Sequence, residues 1–170
     1  MAGPYHSKFP KGTHCYAAGM QRTDFSEMAC SIARSLAVAG EPWSPLVLRD
    51  VWVGINRFDD MQRDLGISRK VLAERLRHLV EAGMLERRPY SQRPARHEYV
   101  LTRKGFEFVD VLMVMAQWGD RWTAGDAGPP VLRRHRACGQ ITQVELRCAM
   151  CGEILHSADV DVEPGPGLAA

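Results

Sequence analysis

The chain has 170 residues, 45% hydrophobic and 25% charged, with a net charge of +2. That length suits one domain with a small appendage, and the mixture excludes a disordered chain, a collagen and a coiled-coil rod. No apolar run reaches the roughly 20 residues of a membrane helix. Residues 1–20 lack the apolar centre of a secretory signal, so a cytoplasmic protein without membrane contact is expected.

Five cysteines stand unevenly at 15, 30, 138, 148 and 151. This distribution suits a local metal site better than a disulfide framework. Charge is uneven too. Residues 68–104 carry ten basic and four acidic side chains, net +6, while the segments on either side are neutral or acidic. Such a block is either a footprint for a polyanion or a solvated, arginine-rich surface.

Residues 1–23 mix Gly, Pro, Lys and His without periodicity and read as a flexible arm. Phe25 to Ala39 turns helical, with Met28, Ile32, Leu36 and Ala39 on one stripe. Ser44-Pro45 predicts a second helix with Ser44 as its cap, apolar through Leu46, Val47, Leu48, Val51 and Trp52. Arg57–Leu65 reads as a short amphipathic helix broken by Gly66. Ser68 then caps a helix from Arg69 to about Ala82, closed by Gly83. Its inward face is Val71, Leu72, Leu76, Leu79 and Val80. Its outward face is Lys70, Ala73, Glu74, Arg77 and Glu81.

Met84–Arg87 and His97–Leu101 read as paired strands around an arginine-rich tip, residues 88–96. Thr102 caps a long helix from Arg103 to Trp122 that is apolar almost all round through its middle. Gly125 to Pro130 is a linker. A small unit, 131–162, follows, with Val144–Leu146 as a strand, and 163–170 reads as a flexible tail. The expected organisation is an arm (1–23), a main domain (24–124), a linker (125–130), a small module (131–162) and a tail (163–170).

A short helix, a tight turn and a second capped helix are in helix-turn-helix order. The major groove of B-DNA accepts one α-helix, N-terminal end first. Candidate DNA contacts on that helix are Ser68, Arg69, Lys70, Ala73 and Arg77. Arg93 and Arg96, at the tip of the hairpin, would reach phosphate or the minor groove as a wing. The expected fold is α+β and mainly helical: a winged helix-turn-helix, a long dimerisation helix and a small C-terminal zinc-ribbon-like hairpin.

Residues 30–122 resemble the HxlR family of winged-helix transcriptional regulators, relatives of the MarR type. The resemblance is carried by Cys30; Gly40-Glu41-Pro42-Trp43-Ser44; Leu48-Arg49; Arg57-Phe58; the run from Gly66 to Leu76; Glu81 to Arg87; Tyr99-Val100-Leu101-Thr102; and Gly105 with Trp118-Gly119-Asp120-Arg121-Trp122. The family commonly has Gly-Gly-Lys-Trp where this chain has Gly40-Glu41-Pro42-Trp43, and Cys-Pro where it has Cys30-Ser31. The resemblance implies a homodimer. The all-apolar middle of the last long helix supports this independently, because such a helix needs cover on both sides. The alternative is a central helix wrapped by its own chain.

Two copies of one element follow the linker: His135-Arg136-Ala137-Cys138-Gly139 and Cys148-Ala149-Met150-Cys151-Gly152. Four donors of Cys₃His type close a tetrahedral structural site, so one structural Zn²⁺ per chain is expected on His135, Cys138, Cys148 and Cys151. His156 is the fallback ligand; free thiols or a Cys148/Cys151 redox pair are the alternatives. Cys30 has two readings. At the helix N-terminus it is a candidate redox sensor, as the resemblance implies for that position. If the helix begins near Ser26, Cys30 is instead a buried mid-helix residue; the residues favour the buried reading.

No phosphate loop, nucleophile elbow or carboxylate pair suggests an enzyme. The expectation is a sequence-specific regulator of double-stranded DNA in the nucleoid. It would be a repressor acting as a homodimer on an inverted-repeat operator and answering to an unidentified small-molecule or redox effector. The alternative is a zinc-containing protein–protein interaction module whose winged helix binds a protein partner.

Overall fold

Five α-helices and one antiparallel hairpin follow in the order α1 (Ser31–Ala39), α2 (Trp43–Trp52), α3 (Phe58–Leu65), α4 (Arg69–Glu81), β1 (Leu85–Gln92), β2 (Ala95–Leu101) and α5 (Arg103–Trp122) in the computed structural model, which describes residues 24–168. The α+β, mainly helical winged helix-turn-helix expected from the sequence is what the chain forms. The arm expected over 1–23, with Cys15, lies outside the described residues, as do residues 169–170. Residues 35–144 form one compact unit; residues 24–34 with 145–168 form another. Among the described residues no helix is long and apolar enough to cross a membrane.

Local chemistry sets most helix ends. Gly66 closes α3 with φ +64°, a left-handed conformation that costs a residue with a Cβ. Ser68 is extended, and its hydroxyl accepts the Val71 N–H at 3.3 Å. After Ala82, the Gly83 N–H donates to Val80 and the Met84 N–H to Leu79, so the last carbonyls of α4 are satisfied. Ser68→Ala is expected to cost about 1 kcal/mol of unfolding free energy. Urea denaturation checks this: the midpoint should fall with the slope unchanged.

The first two helices start elsewhere than the sequence predicts. α1 begins at Ser31, not Phe25. The Asp24 carboxylate accepts the Ser26 N–H at 2.9 Å, and Met28 and Cys30 donate to Phe25 and Met28, so local turns take the backbone groups a helix would use. Its expected stripe does not face the core either: Ala33 and Ala39 are buried, whereas Met28, Ile32 and Leu36 are exposed. α2 begins at Trp43 after Pro42. Ser44 is therefore not its cap but a buried residue of its first turn.

One core organises the larger unit. Val47, Leu48 and Val51 of α2 meet Met61 of α3 and Ile67. Leu72, Leu76 and Leu79 of α4 and Met84 and Leu85 complete it. Each fully buried Leu or Met contributes roughly 1.5–3 kcal/mol. α2 packs on both α4 and α5, and the His78 ring bonds the Val38 carbonyl at 2.9 Å, tying α4 to α1. At the start of α5, Thr102 accepts the Gly105 N–H at 3.1 Å, and Gly105 and Val109 are buried.

The hairpin is longer than predicted. Its strands run on past the expected ends, pairing from Leu85↔Leu101 to Gln92↔Ala95, with a bulge between Pro89 and Ser91. A bulge accommodates a proline, which has no N–H to give the ladder. Only Arg93 and Pro94 remain as the tip. The Tyr99 N–H donates to Asn56, and a short bridge joins Arg57 to Glu98, so the hairpin is anchored beside the start of α3.

After α5 the chain makes a single 3-10 turn at Gly125–Ala127. The strand expected at Val144–Leu146 is absent. Both backbone groups of Val144 are taken by the Gln117 side chain on α5, which donates at 2.9 Å and accepts at 2.6 Å. Arg133 pairs with Asp120 on the same helix.

Candidate nucleic-acid interface

The short turn at Gly66-Ile67 holds α3 against α4, and burial of Leu72, Leu76 and Leu79 fixes the rotation of α4 about its axis. Since 3.6 residues make a turn, the opposite face is decided at the same time. Lys70, Ala73 and Arg77 are exposed there, and Ser68 and Arg69 are exposed at the start of the helix. Arg93 and Arg96 are exposed at the hairpin end. The structure therefore leaves Ser68 and Arg69 accessible at the start of α4 and Lys70, Ala73 and Arg77 along its outward face; Arg93 is at the hairpin tip, while Arg96, expected there, is a paired residue of β2 because the strands run further than predicted.

Not all of these cations are equally available. The Arg69 guanidinium lies 4.7 Å from the Phe58 ring centroid and donates to Asp59 at 2.8 Å and Gln62 at 3.3 Å. It braces the first turn of α4 against α3. Arg77 stands 3.6 Å from Glu81, one turn along. Exposed pairs of this kind are worth roughly 0–1 kcal/mol, so a phosphate can displace the carboxylate. Among the described residues Lys70, Arg93 and Arg96 have no ion-pair partner.

Arg75 is different. It belongs to the basic block of the sequence but is buried, with Glu74 at 2.6 Å and Glu41 at 3.6 Å. Its charge is spent inside the fold and adds nothing to the outer face.

Sequence reasoning missed the arginines at the base of the hairpin. Arg57, the residue before α3, stacks on Tyr90 of β1 at 4.3 Å from the ring centroid. Arg87 bonds the His97 ring at 2.9 Å across the strands. Arg88 grips Glu86 through two hydrogen bonds near 3 Å; that contact holds the Glu86 carboxyl below its ordinary range and the Arg88 guanidinium above its own. The hairpin thus carries arginines on both strands and at its tip, at 87, 88, 93 and 96, of which Arg88 is paired with Glu86. The signal available in the sequence was the alternation of Arg87, Tyr99 and His97 in paired strands, hidden because residues 88–96 read as a loop.

Cys30 lies immediately before α1 and is exposed, not buried within a helix as the residues favoured. The reason is the late start of α1. In the C-terminal region, His135 Nδ1 and the Cys138 sulfur are 3.4 Å apart. The Cys148 thiol faces the N–H groups of Cys151 and Met150, which pull its pKa below the ordinary thiol value. Among the described residues no three His, Cys, Asp or Glu side chains are gathered as a metal cluster.

Comparison with known proteins gives the same picture. A family model for HxlR-like helix-turn-helix proteins matches residues 38–127. The HTH-type transcriptional regulator Rv3095 of Mycobacterium tuberculosis strain H37Rv is 44% identical over 140 residues, 82% of this chain and 89% of that protein. Among solved structures, PA1607 superposes with a TM-score of 0.76 at 33% identity, covering 84% of this chain and 100% of the other. PA1374 from Pseudomonas aeruginosa gives 0.57 at 43% identity, covering 81% and 93%. The chain belongs to the HxlR-like helix-turn-helix family and is a DNA-binding transcription regulator, not an enzyme.

Proposed function

We propose that the protein is a homodimeric repressor that reads an inverted-repeat operator, with α4 in the major groove and the β1–β2 hairpin along the flanking backbone. The observation that carries this reading is the outward face of α4. It joins a capped helix N-terminus, whose free N–H groups favour phosphate, to Arg69, Lys70 and Arg77. Lys70, Arg93 and Arg96 would neutralise phosphates. Arg69 would leave Asp59 to meet a base edge, at the small cost of an exposed ion pair.

Dimerisation rests on α5. Val111, Met115, Trp118 and Trp122 are 52%, 55%, 62% and 69% exposed, and their spacing of four, three and four residues puts them in one seam. A second α5 covers that seam and sets two copies of α4 about one DNA turn, roughly 34 Å, apart. A dimer of that size seated on a promoter excludes polymerase by occupancy.

Selection of bound duplexes from a random pool tests the whole reading. The expected product is an inverted repeat with half-sites one turn apart; recovery of no preferred sequence overturns it. Two variants separate the roles. Arg69→Ala should lower discrimination between the selected operator and a mismatched one by about 1–3 kcal/mol. Arg93→Ala should weaken binding to every duplex alike and reduce the salt slope by about one. Retention of full discrimination in Arg69→Ala would remove the base-reading role.

A further inference from the structure

We infer that Arg57 and Tyr90 form the joint that fixes the angle of the β1–β2 hairpin against α3 and α4, which makes Arg57 a positioning residue for the wing. Its effect on DNA rests on the docking proposed above, whereas the joint itself belongs to the free protein.

The hairpin needs such a joint. It is rooted in the core through Leu85, Tyr99 and Leu101, but from Pro89 to Arg96 no residue is buried. A two-stranded ribbon standing clear of a core is marginal by itself. Arg93 lies at the far end of that ribbon, between the two strands, so any swing at the base is largest where the charge is carried.

Tyr90 is the extra residue of the bulge. Pro89 pairs with His97 and Ser91 with Arg96, which leaves Tyr90 without an opposite residue on β2. A bulge bends its strand and re-aims a side chain. Here the re-aimed ring lies under the Arg57 guanidinium, 4.3 Å from the ring centroid. Arg57 itself belongs to another element. Its backbone bridges Glu98, and its carbonyl accepts the Met61 N–H at 3.0 Å, the first hydrogen bond of α3. Beside it the Asn56 carbonyl accepts the Tyr99 N–H at 2.8 Å. Glu98 also pairs with Arg88, on its other edge. β2 therefore lies between Arg57 and β1, and the Arg57 side chain crosses it to reach Tyr90. One residue ties both strands of the hairpin to the start of α3.

The next two residues hold the reading helix. The Phe58 ring faces the Arg69 guanidinium at 4.7 Å, and Asp59 accepts from it at 2.8 Å. Arg57, Phe58 and Asp59 therefore set the wing and the first turn of α4 from the same turn of α3. The offset between the half-site under α4 and the flank reached by Arg93 is built into those positions. Arg57 is itself exposed, so direct contact with phosphate is the alternative that the test must separate.

Hydrogen exchange in the free full-length protein tests the joint. Arg57→Ala and Tyr90→Ala remove exposed side chains, so the fold should survive both. Each should speed exchange of the amides between residues 90 and 96 by about 2–5-fold, the size expected for one exposed cation–π contact, and leave α4 unchanged. The double variant should be no faster than either single one. Hydroxyl-radical footprinting on a selected operator then reads the wing. Both single variants should lose protection of the flanking backbone and keep that of the half-site under α4. Tyr90→Phe, which returns a ring, should restore what Tyr90→Ala loses. Unchanged exchange in both single variants overturns the inference whatever the footprint shows. So does loss of flank protection in Arg57→Ala but not in Tyr90→Ala, which would make Arg57 a phosphate contact. Wild-type protein that leaves the flank unprotected overturns the proposed docking instead, and exchange still decides the joint.

Discussion

Exchanging Met115 and Trp118 for glutamate should give a monomer in light scattering and weaken operator binding by ~10²–10⁴-fold, the gain that linkage of two binding modules provides. Both side chains are more than half exposed and lie outside the core of the larger unit, so the variant should keep its fold and its circular dichroism. The loss would arise elsewhere. Two glutamates on each seam bring like charges and desolvated carboxylates together at the dimer axis. That removes the simultaneous engagement of two half-sites while leaving the contacts of each half intact. Binding to a single half-site should therefore be nearly unchanged. A dimer that survives both substitutions would assign the seam to another purpose.

Gly105→Ala is expected to destabilise the protein by about 3 kcal/mol, the upper end for overpacking a core. A Cβ there would lie 2.2 Å from the Met84 carbonyl oxygen and 2.9 Å from Leu101 Cδ2. The nearer atom belongs to the backbone, so no rotamer change relieves it. That same carbonyl accepts the Thr102 N–H at 3.1 Å and the Thr102 hydroxyl at 3.2 Å. Displacing it moves the root of β1 together with the cap of α5, which couples the hairpin to that helix. Thermal unfolding should show the loss directly. Operator affinity at a temperature where the variant remains folded should fall as well, since the hairpin base is shifted. An unchanged melting temperature would refute the close approach.

Chain chemistry acting over a few residues was legible before any coordinates. Ser68 as a cap, Gly66 and Gly83 as stops, and the apolar spacing of Leu72, Leu76 and Leu79 together specify α4 and its outward face, because a helix has only one period. Thr102 and the run from Arg103 to Trp122 specify α5 in the same way. The tertiary structure decided what depends on partners distant in sequence. It buried Arg75 between Glu74 and Glu41 and tied Arg69 to Asp59, although both arginines belong to one basic block. It carried the hairpin through Pro89, because a bulge opposite β2 absorbs the missing N–H. It also cancelled the strand at Val144, whose backbone groups pair with Gln117. Periodicity states which face of a helix is apolar, but only packing shows whether that face is already covered. For α5 the face left uncovered carries Val111, Met115, Trp118 and Trp122.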